Sequence, residues 1–224
     1  MSEQSTRTVE RALSLLAHVC EEGSATLAAA ARAVELSPST ALRLLRTLEA
    51  SGFVRRDVEG SYRAGSRLVQ LGAQALGNES LIDICHQEMV GLEEATGESV
   101  YLSVEGHGPS VLYISIVEGS HSIRHANWVG RTIPLQGSAA GLALTGQTPE
   151  TGFVVVDRGI ERDVTAIAAP IAVGPRIIAS LSILVPTYRI DDRTTQQYGQ
   201  LIAGAARRLS AGLTDGTAVP KEHP

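Results

Sequence analysis

Four side chains between positions 39 and 46 are suited to bind a negatively charged polymer. Ser39, Thr40, Arg43 and Arg46 fall on one side of a helix at about 100° per residue, between about −20° and 100°. Guanidinium groups can form paired hydrogen bonds with phosphate or guanine, and short hydroxyls reach phosphates. The spacing therefore predicts a helix whose polar face can enter a groove of nucleic acid.

The opposite side of that helix is apolar, from about 140° to 300°, and predicts packing against other helices. Its residues are Ala41, Leu42, Leu44, Leu45 and Leu48. Because every amphipathic helix has a polar face, the helix alone is weak evidence for nucleic-acid binding. The elements that position it carry more weight.

Those elements follow a recognisable order. Ser37 followed by Pro38 is typical of an N-cap and the first residue of a helix, here about 38–50. Two short strands then surround a Gly-containing turn and add Arg55, Arg56 and Arg63. The other predicted elements are helices at about 9–20, 27–34 and 66–76 and strands at 53–56 and 62–63. This order predicts a winged helix-turn-helix domain.

The remainder of the chain predicts a second domain, so that the whole is an α+β protein. Its predicted helices lie at 80–95, 138–146 and 191–213, and its predicted strands at 98–105, 110–118, 121–127, 152–157, 164–173 and 176–185. The predicted division is a DNA-binding domain at 1–65, a linker helix at 66–78, a mixed α/β domain at 79–213 and a disordered tail at 214–224.

The composition is that of a globular protein, with 43% hydrophobic and 19% charged residues and a net charge of −5. The charge is uneven, because residues 32–67 contain seven Arg against four acidic residues. No uncharged apolar stretch approaches the roughly 20 residues that cross a bilayer, and the polar N-terminus does not resemble a signal peptide. We expect a cytoplasmic protein with no membrane partner, in which Cys20 and Cys85 are reduced and buried.

One segment of the second domain could bind a small anion. Small residues from Gly137 through Ser138, Ala139 and Ala140 to Gly141 open a predicted helix, whose first N–H groups could accept a carboxylate. Tight packing of the helix on a sheet selects the same residues, so both interpretations stay open. No nucleophile–base pair, metal-ligand spacing or phosphate loop is evident, and we expect no catalytic residue, metal or cofactor.

Beyond these patterns, the chain resembles the IclR family of bacterial transcriptional regulators. The resemblance rests on "VERALSLL", "SPSTALRLLRTLEASGFV" and "YRAGSRLVQLG" in the first part, and on "GESVYLSV", "GRTIPLQGSAAGLAL" and "IIASLSILVP" in the second. It implies a GAF/PAS-like second domain that binds a small organic effector, often acidic or aromatic. It also implies a homodimer, or a dimer of dimers, that binds near-palindromic double-stranded DNA, usually as a repressor.

The same resemblance implies roles for single residues. The DNA contacts would be made by Ser37, Ser39, Thr40, Arg43, Arg46, Arg56 and Arg63. Besides the helix start at Ser138, Ala139 and Ala140, effector contacts would come from Asp157, Ala166 and Ser182. Two departures from the family concern the effector. Ala166 and Leu184 are apolar where polar residues are common, which favours an aromatic or less polar effector, and the segment 145–151 is shortened.

Two other functions remain open at this stage. An enzyme could be built on the second domain, although no catalytic arrangement supports it. Alternatively, the chain could bind DNA without responding to any ligand, because the shortened segment could leave the effector pocket shallow or lost. Binding of a small molecule would separate these alternatives from a ligand-responsive regulator.

Overall fold

The computed structural model describes residues 4–77 and 81–214, with side chains described for 7–72 and 81–214. The chain divides into two compact units, Met1–Glu79 and Ser80–Pro224. The first unit contains α1 (Gln4–Glu21), α2 (Leu27–Ala33), α3 (Pro38–Ala50), β1 (Val54–Arg56), β2 (Tyr62–Ala64) and α4 (Ser66–Gly77). The predicted winged helix-turn-helix order is confirmed, whereas the finer domain boundaries remain a prediction.

Local chemistry fixes the start of each short helix in the first unit. The Thr26 hydroxyl accepts the N–H of Ala29 at the start of α2, and the Ser37 hydroxyl accepts the N–H of Thr40 at the start of α3. The predicted N-cap at Ser37 is therefore confirmed. A single core then joins α1, α2, α3 and the hairpin, and its largest fully buried members are Leu15, Leu45 and Tyr62.

The second unit is one antiparallel sheet with helices on both faces. Its elements are α5 (Leu81–Thr96), β3 (Ser99–Glu105), β4 (Ser110–Val117), β5 (Thr132–Pro134), α6 (Ala139–Leu144), β6 (Val154–Asp157), β7 (Val164–Val173), β8 (Arg176–Pro186), the 3₁₀ turn Thr187–Arg189 and α7 (Asp192–Thr214). The strand order is β5-β4-β3-β8-β7-β6. All strand pairs are antiparallel. The predicted α+β class is thus confirmed.

The alternation of side chains along the strands gives this sheet two different faces. On β8, Leu181 and Ile183 point to the face covered by α5 and α7, where the main core lies. Ser182 and Leu184 point to the opposite face, where the short helix α6 packs. The face beneath α6 is the one that carries the candidate effector residues.

Several predictions were wrong or fall outside the described residues. The segment 121–127, predicted as a strand, is a loop, while the short strand Thr132–Pro134 was not predicted. Cys20 is exposed, although Cys85 is buried as expected, and burial raises the pKa of the Cys85 thiol to about 12. Thr214 ends α7, and the rest of the predicted tail, 215–224, lies outside the described residues.

A buried ion pair joins the start of β3 to the 3₁₀ turn. The Glu98 side chain is 1% exposed, and its Oε1 lies 2.8 Å from Nε of Arg189. Arg189 also donates from Nη2 to the carbonyl of Ile123 at 2.7 Å, and His121 lies 3.7 Å from Glu98. Burial raises the pKa of the Glu98 carboxyl above its usual value, although Arg189 and His121 oppose that shift. The pair therefore ties the 118–131 loop to the sheet.

None of the described helices is both long enough and apolar enough to cross a membrane.

Candidate functional site

The start of α3 is a cluster of hydroxyl groups. Ser37 donates from its hydroxyl to Oγ1 of Thr40 at 2.9 Å and lies 3.2 Å from the hydroxyl of Ser39. The same Ser37 oxygen accepts the Thr40 N–H at 3.3 Å. Because these bonds fix the first turn, the hydroxyls are presented together at the positive end of the helix. Such an arrangement is suited to a phosphate group.

The rest of the polar face carries the two predicted arginines. Arg43 and Arg46 are exposed, while Ala41, Leu44 and Leu45 on the other side are buried. Neither guanidinium has an ion-pair partner among the described side chains, those of residues 7–72 and 81–214. A shallow surface groove runs along this face past both arginines to Ser51. In this chain, the two guanidinium groups are therefore free to bind an external acceptor.

The hairpin arginines are in a different situation. Arg63 donates from Nε to the Asp57 carboxylate at 2.9 Å, and Arg56 donates to the Gly60 carbonyl at 3.0 Å and lies over the Tyr62 ring. These contacts hold the hairpin, so DNA contact would be an additional role for each residue. Arg55, on the same strand as Arg56, is exposed.

Asp57 organises the hairpin turn, and its loss tests that arrangement. Its carboxylate accepts the N–H groups of Glu59 and Ser61 as well as Nε of Arg63, and the bond from Arg63 holds the pKa of the Asp57 carboxyl below its usual value. Asp57→Ala should therefore speed hydrogen exchange at the Ser61 amide, measured by NMR, while Glu59→Ala should not. Equal exchange in both variants would contradict the assignment.

The pH dependence of the turn follows from the direction of that pKa shift. Because the folded-state pKa is lowered, the stabilisation is present above the usual carboxyl pKa and is lost as pH falls through the folded-state value. In the unmodified protein, the protection of the Ser61 amide, measured against its intrinsic exchange rate at each pH, should fall over that acidic window.

The second candidate site is a cavity of about 30 Å³ under α6. That volume accommodates about one water molecule, so an organic effector enters only if side chains of the wall move. Its wall is mainly apolar and aromatic, with Tyr113, Trp128, Ile133, Val156, Val164 and Leu184. Its polar side chains include Ser138, Glu161 and Ser182.

Five of the six predicted effector residues line this one cavity. They are Ser138, Ala139, Ala140, Ala166 and Ser182. Asp157 is not among the lining residues, and its carboxylate instead accepts a hydrogen bond from the Thr165 hydroxyl at 2.7 Å. The cavity brings together residues from α6, β7 and β8, whereas an effector contact at Asp157 remains a prediction that this geometry does not support.

The start of α6 supports the packing interpretation. A Cβ on Gly141 would lie 1.8 Å from the carbonyl oxygen of Leu135, so only glycine allows this approach. The Ser138 hydroxyl donates to the Pro134 carbonyl at 2.7 Å and accepts the Gly141 N–H at 3.1 Å. One N–H group at the helix start is therefore already satisfied from within the chain.

A hydrogen-bonded set of three side chains reaches the cavity at Glu161. The Tyr101 hydroxyl lies 2.7 Å from Nδ1 of His125, and Nε2 of His125 lies 2.6 Å from Oε1 of Glu161. The Trp128 ring stacks edge-on against His125, with ring centroids 4.8 Å apart. The sequence did not predict this set, because its members are 24 and 36 positions apart and share no local pattern.

This chain of side chains resembles a nucleophile–base–acid arrangement but is poorly suited to that chemistry. The Tyr101 hydroxyl also donates to the carbonyl of Ala126, and the Tyr101 side chain is fully buried. Burial raises the pKa of Tyr101 far above its usual value, so its reactive phenolate is disfavoured. Its geometry favours a structural role in holding the 118–131 loop.

A winged helix-turn-helix unit joined to a sheet domain with an enclosed cavity defines a two-domain transcriptional regulator. Two family models match the chain in that order: the IclR helix-turn-helix domain over residues 8–58, and the bacterial transcriptional regulator IclR C-terminal domain over residues 73–151. The chain belongs to the IclR family of bacterial transcriptional regulators.

Relatives of known name agree with this assignment. The HTH-type transcriptional regulator KdgR of Escherichia coli strain K12 is 26% identical over 93% of this chain and 93% of KdgR. The transcriptional repressor IclR of that strain is 31% identical over 64% of this chain and 54% of its own length. The crystal structure of an IclR homolog from Microbacterium hydrocarbonoxydans, complexed with 4-hydroxybenzoate, matches with a TM-score of 0.77 at 21% identity, covering 93% of this chain and 99% of that one.

Proposed function

We propose that this regulator binds a near-palindromic operator with α3 in the major groove, and that a small organic effector in the second unit controls that binding. The observation that carries the DNA half is the face of α3, where Arg43 and Arg46 are exposed without an ion-pair partner on a helix whose other side is buried. In this proposal the protein acts as a cytoplasmic repressor, as the name of its relative IclR suggests.

In this proposal the residues divide by chemistry. Arg43 and Arg46 read base edges or phosphates, and the hydroxyls of Ser37, Ser39 and Thr40 bind a phosphate at the helix start. The hairpin approaches the flanking backbone through its arginines, which are Arg55, Arg56 and Arg63. The phosphate contacts would fix the position of the helix, and the base contacts would select the sequence.

A homodimer would supply the second recognition helix that a near-palindromic site requires. Exposed apolar side chains of the first unit support this state. Val9 and Leu13 lie one turn apart on α1 and are each 57% exposed, and Val69 on α4 is 73% exposed. Pairing of two copies over these helices would remove that surface from water. A dimer of dimers would be assembled from two such homodimers.

Arg43→Ala should weaken operator binding by about 1–3 kcal/mol and relax specificity at one base-pair position, because a bidentate contact to one base would be lost. The measurement is a binding titration on operator fragments selected from genomic DNA by the unmodified protein, with each position then varied. A uniform loss over all sequences would make Arg43 a phosphate contact, and an unchanged affinity would remove it from the interface. Arg176→Ala, an exposed arginine of the other unit, is the matched control.

The effector half of the proposal rests on the cavity under α6. The rings of Tyr113 and Trp128 form part of its wall, with centroids 6.4 Å apart, and suit an aromatic or otherwise apolar ligand. An effector acts only through different affinities for the DNA-binding and non-binding states, and about 5.5 kcal/mol of difference shifts a 1:99 population to 99:1. Effector-induced release of operator DNA is the direct test.

The rival proposals make different predictions. An enzyme on the second unit should convert a bound small molecule, whereas a sensor should return it unchanged after release. A DNA-binding protein without an effector should show no thermal stabilisation by any small molecule that alters operator binding. The structural role of Tyr101 and the names of the relatives, which are transcriptional regulators, favour the sensor.

A further inference from the structure

The charged and polar groups of the cavity under α6 favour one class of effector, an inference that rests on the proposed function of this cavity. Among the residues described as lining it, Glu161 is the only acidic or basic side chain apart from the Tyr113 phenol, and no Lys or Arg is present. A carboxylate brought into this space would therefore meet a like charge and no cation. Burying a charge without a partner is strongly unfavourable.

The start of α6 does not compensate for the missing cation. This helix has six residues, and the Ser138 hydroxyl already accepts its Gly141 N–H. Ser138 also donates its own proton to the Pro134 carbonyl. The hydroxyl of Ser138 is therefore used within the chain, and it offers no proton to a ligand anion.

Ser182 is the group in the cavity that lacks a partner. Its side-chain oxygen is buried and makes no hydrogen bond in the described part of the chain, and the residue is 1% exposed. A buried hydroxyl without a partner is unfavourable, so a ligand atom that bonded to it would gain affinity. Because a hydroxyl proton rotates freely, Ser182 can donate to a ligand oxygen.

Glu161 is held at the cavity wall as a hydrogen-bond acceptor. Its Oε1 lies 2.6 Å from Nε2 of His125, and Oε2 accepts no hydrogen bond from the described side chains, those of residues 7–72 and 81–214. The His125 Nδ1 atom faces the Tyr101 hydroxyl, whose proton goes to the Ala126 carbonyl. The contact with Nε2 therefore holds the Glu161 side chain in place at the cavity wall.

We propose that the effector is an uncharged hydroxyl compound, an alcohol or phenol without a carboxylate, with an apolar or aromatic body. Its hydroxyl accepts a hydrogen bond from Ser182 and donates one to Glu161, a pairing that uses both properties of a single OH group. Its body packs against Trp128 and Tyr113. Glu161 is the specificity-determining residue, because it rejects acids of the same shape.

The test uses the full-length protein and the fluorescence of Trp128, which is the single tryptophan of the chain and lines the cavity. The probes are two matched pairs: benzyl alcohol against benzoate, and 4-hydroxybenzyl alcohol against 4-hydroxybenzoate. Isothermal titration calorimetry provides a second readout that does not depend on absorbance. We expect each alcohol to bind at least about tenfold more tightly than its acid, the size of a hydrogen bond to a charged group set against a like-charge contact.

Two variants assign that preference to its residues. Glu161→Gln should bring the acids to within about threefold of the alcohols, because the like charge is gone, and Ser182→Ala should weaken the alcohols by about tenfold. The controls are Glu150→Gln, an exposed glutamate of the same unit, and Ser180→Ala, a buried serine on the same strand that does not line the cavity. Circular dichroism spectra and melting curves establish that each variant is folded.

The outcomes separate this inference from the proposed function. If the acids bind as tightly as the alcohols, or if Glu161→Gln leaves the ratio unchanged, the inference is wrong. Should an acid bind and release operator DNA, the proposed effector function stands and only the ligand class fails. Failure of both alcohols to bind also rejects the inference, whereas the proposed function fails if the protein binds no operator or if no small molecule releases it from the operator.

Discussion

Arg189→Met should destabilise the second unit by about 3 kcal/mol, because it leaves the Glu98 carboxylate buried without its main cation. The Glu98 side chain is 1% exposed, and His121, 3.7 Å away, is a weaker partner than Arg189. Removing one member of a buried pair is typically unfavourable by about 3–5 kcal/mol. The lower end applies here, since the Arg189 side chain is itself 25% exposed and solvent partly screens the pair.

The loss of stability in Arg189→Met should depend on pH, and its direction follows from the pKa of Glu98. The Glu98 pKa is already raised by burial, and loss of Arg189 should raise it further. A raised folded-state pKa means that the folded form holds the proton more tightly, so the contribution to stability is present at low pH and is lost as pH rises through the folded-state value. The deficit of Arg189→Met should therefore be smallest in acid and grow toward neutral pH.

Chemical denaturation followed by circular dichroism at several pH values measures both effects. Adding Glu98→Leu to Arg189→Met should recover much of the lost stability, because the isolated charge is then gone. Arg193→Met, at an exposed arginine near the start of α7, is the control and should be close to neutral. A deficit that is the same at every pH would show that lost packing, and not the buried charge, is responsible.

Leu45→Ala should destabilise the first unit by about 2–5 kcal/mol and abolish operator binding. The Leu45 side chain is fully buried in the core shared by α1, α2, α3 and the hairpin, so its truncation leaves a cavity where collapse is limited. The unit spans 79 residues and buries a small core, so a loss of this size is a large part of its stability. The polar face of α3 would then no longer be held in position to bind DNA.

Hydrogen exchange resolved by residue measures this effect in the first unit alone. Protection should fall across α1 and α3 and remain unchanged in β7 and β8 of the second unit. Val58→Ala, at a fully exposed valine of the hairpin turn, is the control. Full protection of α3 combined with lost DNA binding would mean that Leu45 acts in recognition and not through packing.

The helix α3 was predictable because its determinants are local. Ser37, Pro38 and the spacing of Ala41, Leu44 and Leu45 specify where α3 starts and which face is buried, and the structure agrees at each point. The long strands β7 and β8 were also predictable, since each is a continuous apolar run separated by a Gly-containing turn. Such patterns depend on neighbours within a few positions.

The effector cavity was only partly predictable, because it depends on contacts between distant segments. The residues 121–127 have the composition of a strand, but His125 bonds to Tyr101 and Glu161 instead of joining the sheet ladder. The family resemblance predicted Asp157 as an effector contact. In the structure, Asp157 ends β6 and its carboxylate accepts a hydrogen bond from the Thr165 hydroxyl. No partner for Glu161 was evident from the sequence. In the structure, Glu161 contacts His125 and is the acidic side chain of the cavity wall.

The separation of the buried side chains into cores on either side of positions 78–80 has an evolutionary consequence. Every described core cluster belongs wholly to one unit, so recombination within that segment would exchange complete hydrophobic interiors and split none. A gene fusion at this position could transfer an operator preference to a sensor of another chemistry in one step. New pairings of signal and target gene could then arise faster than either surface could be rebuilt by point mutation.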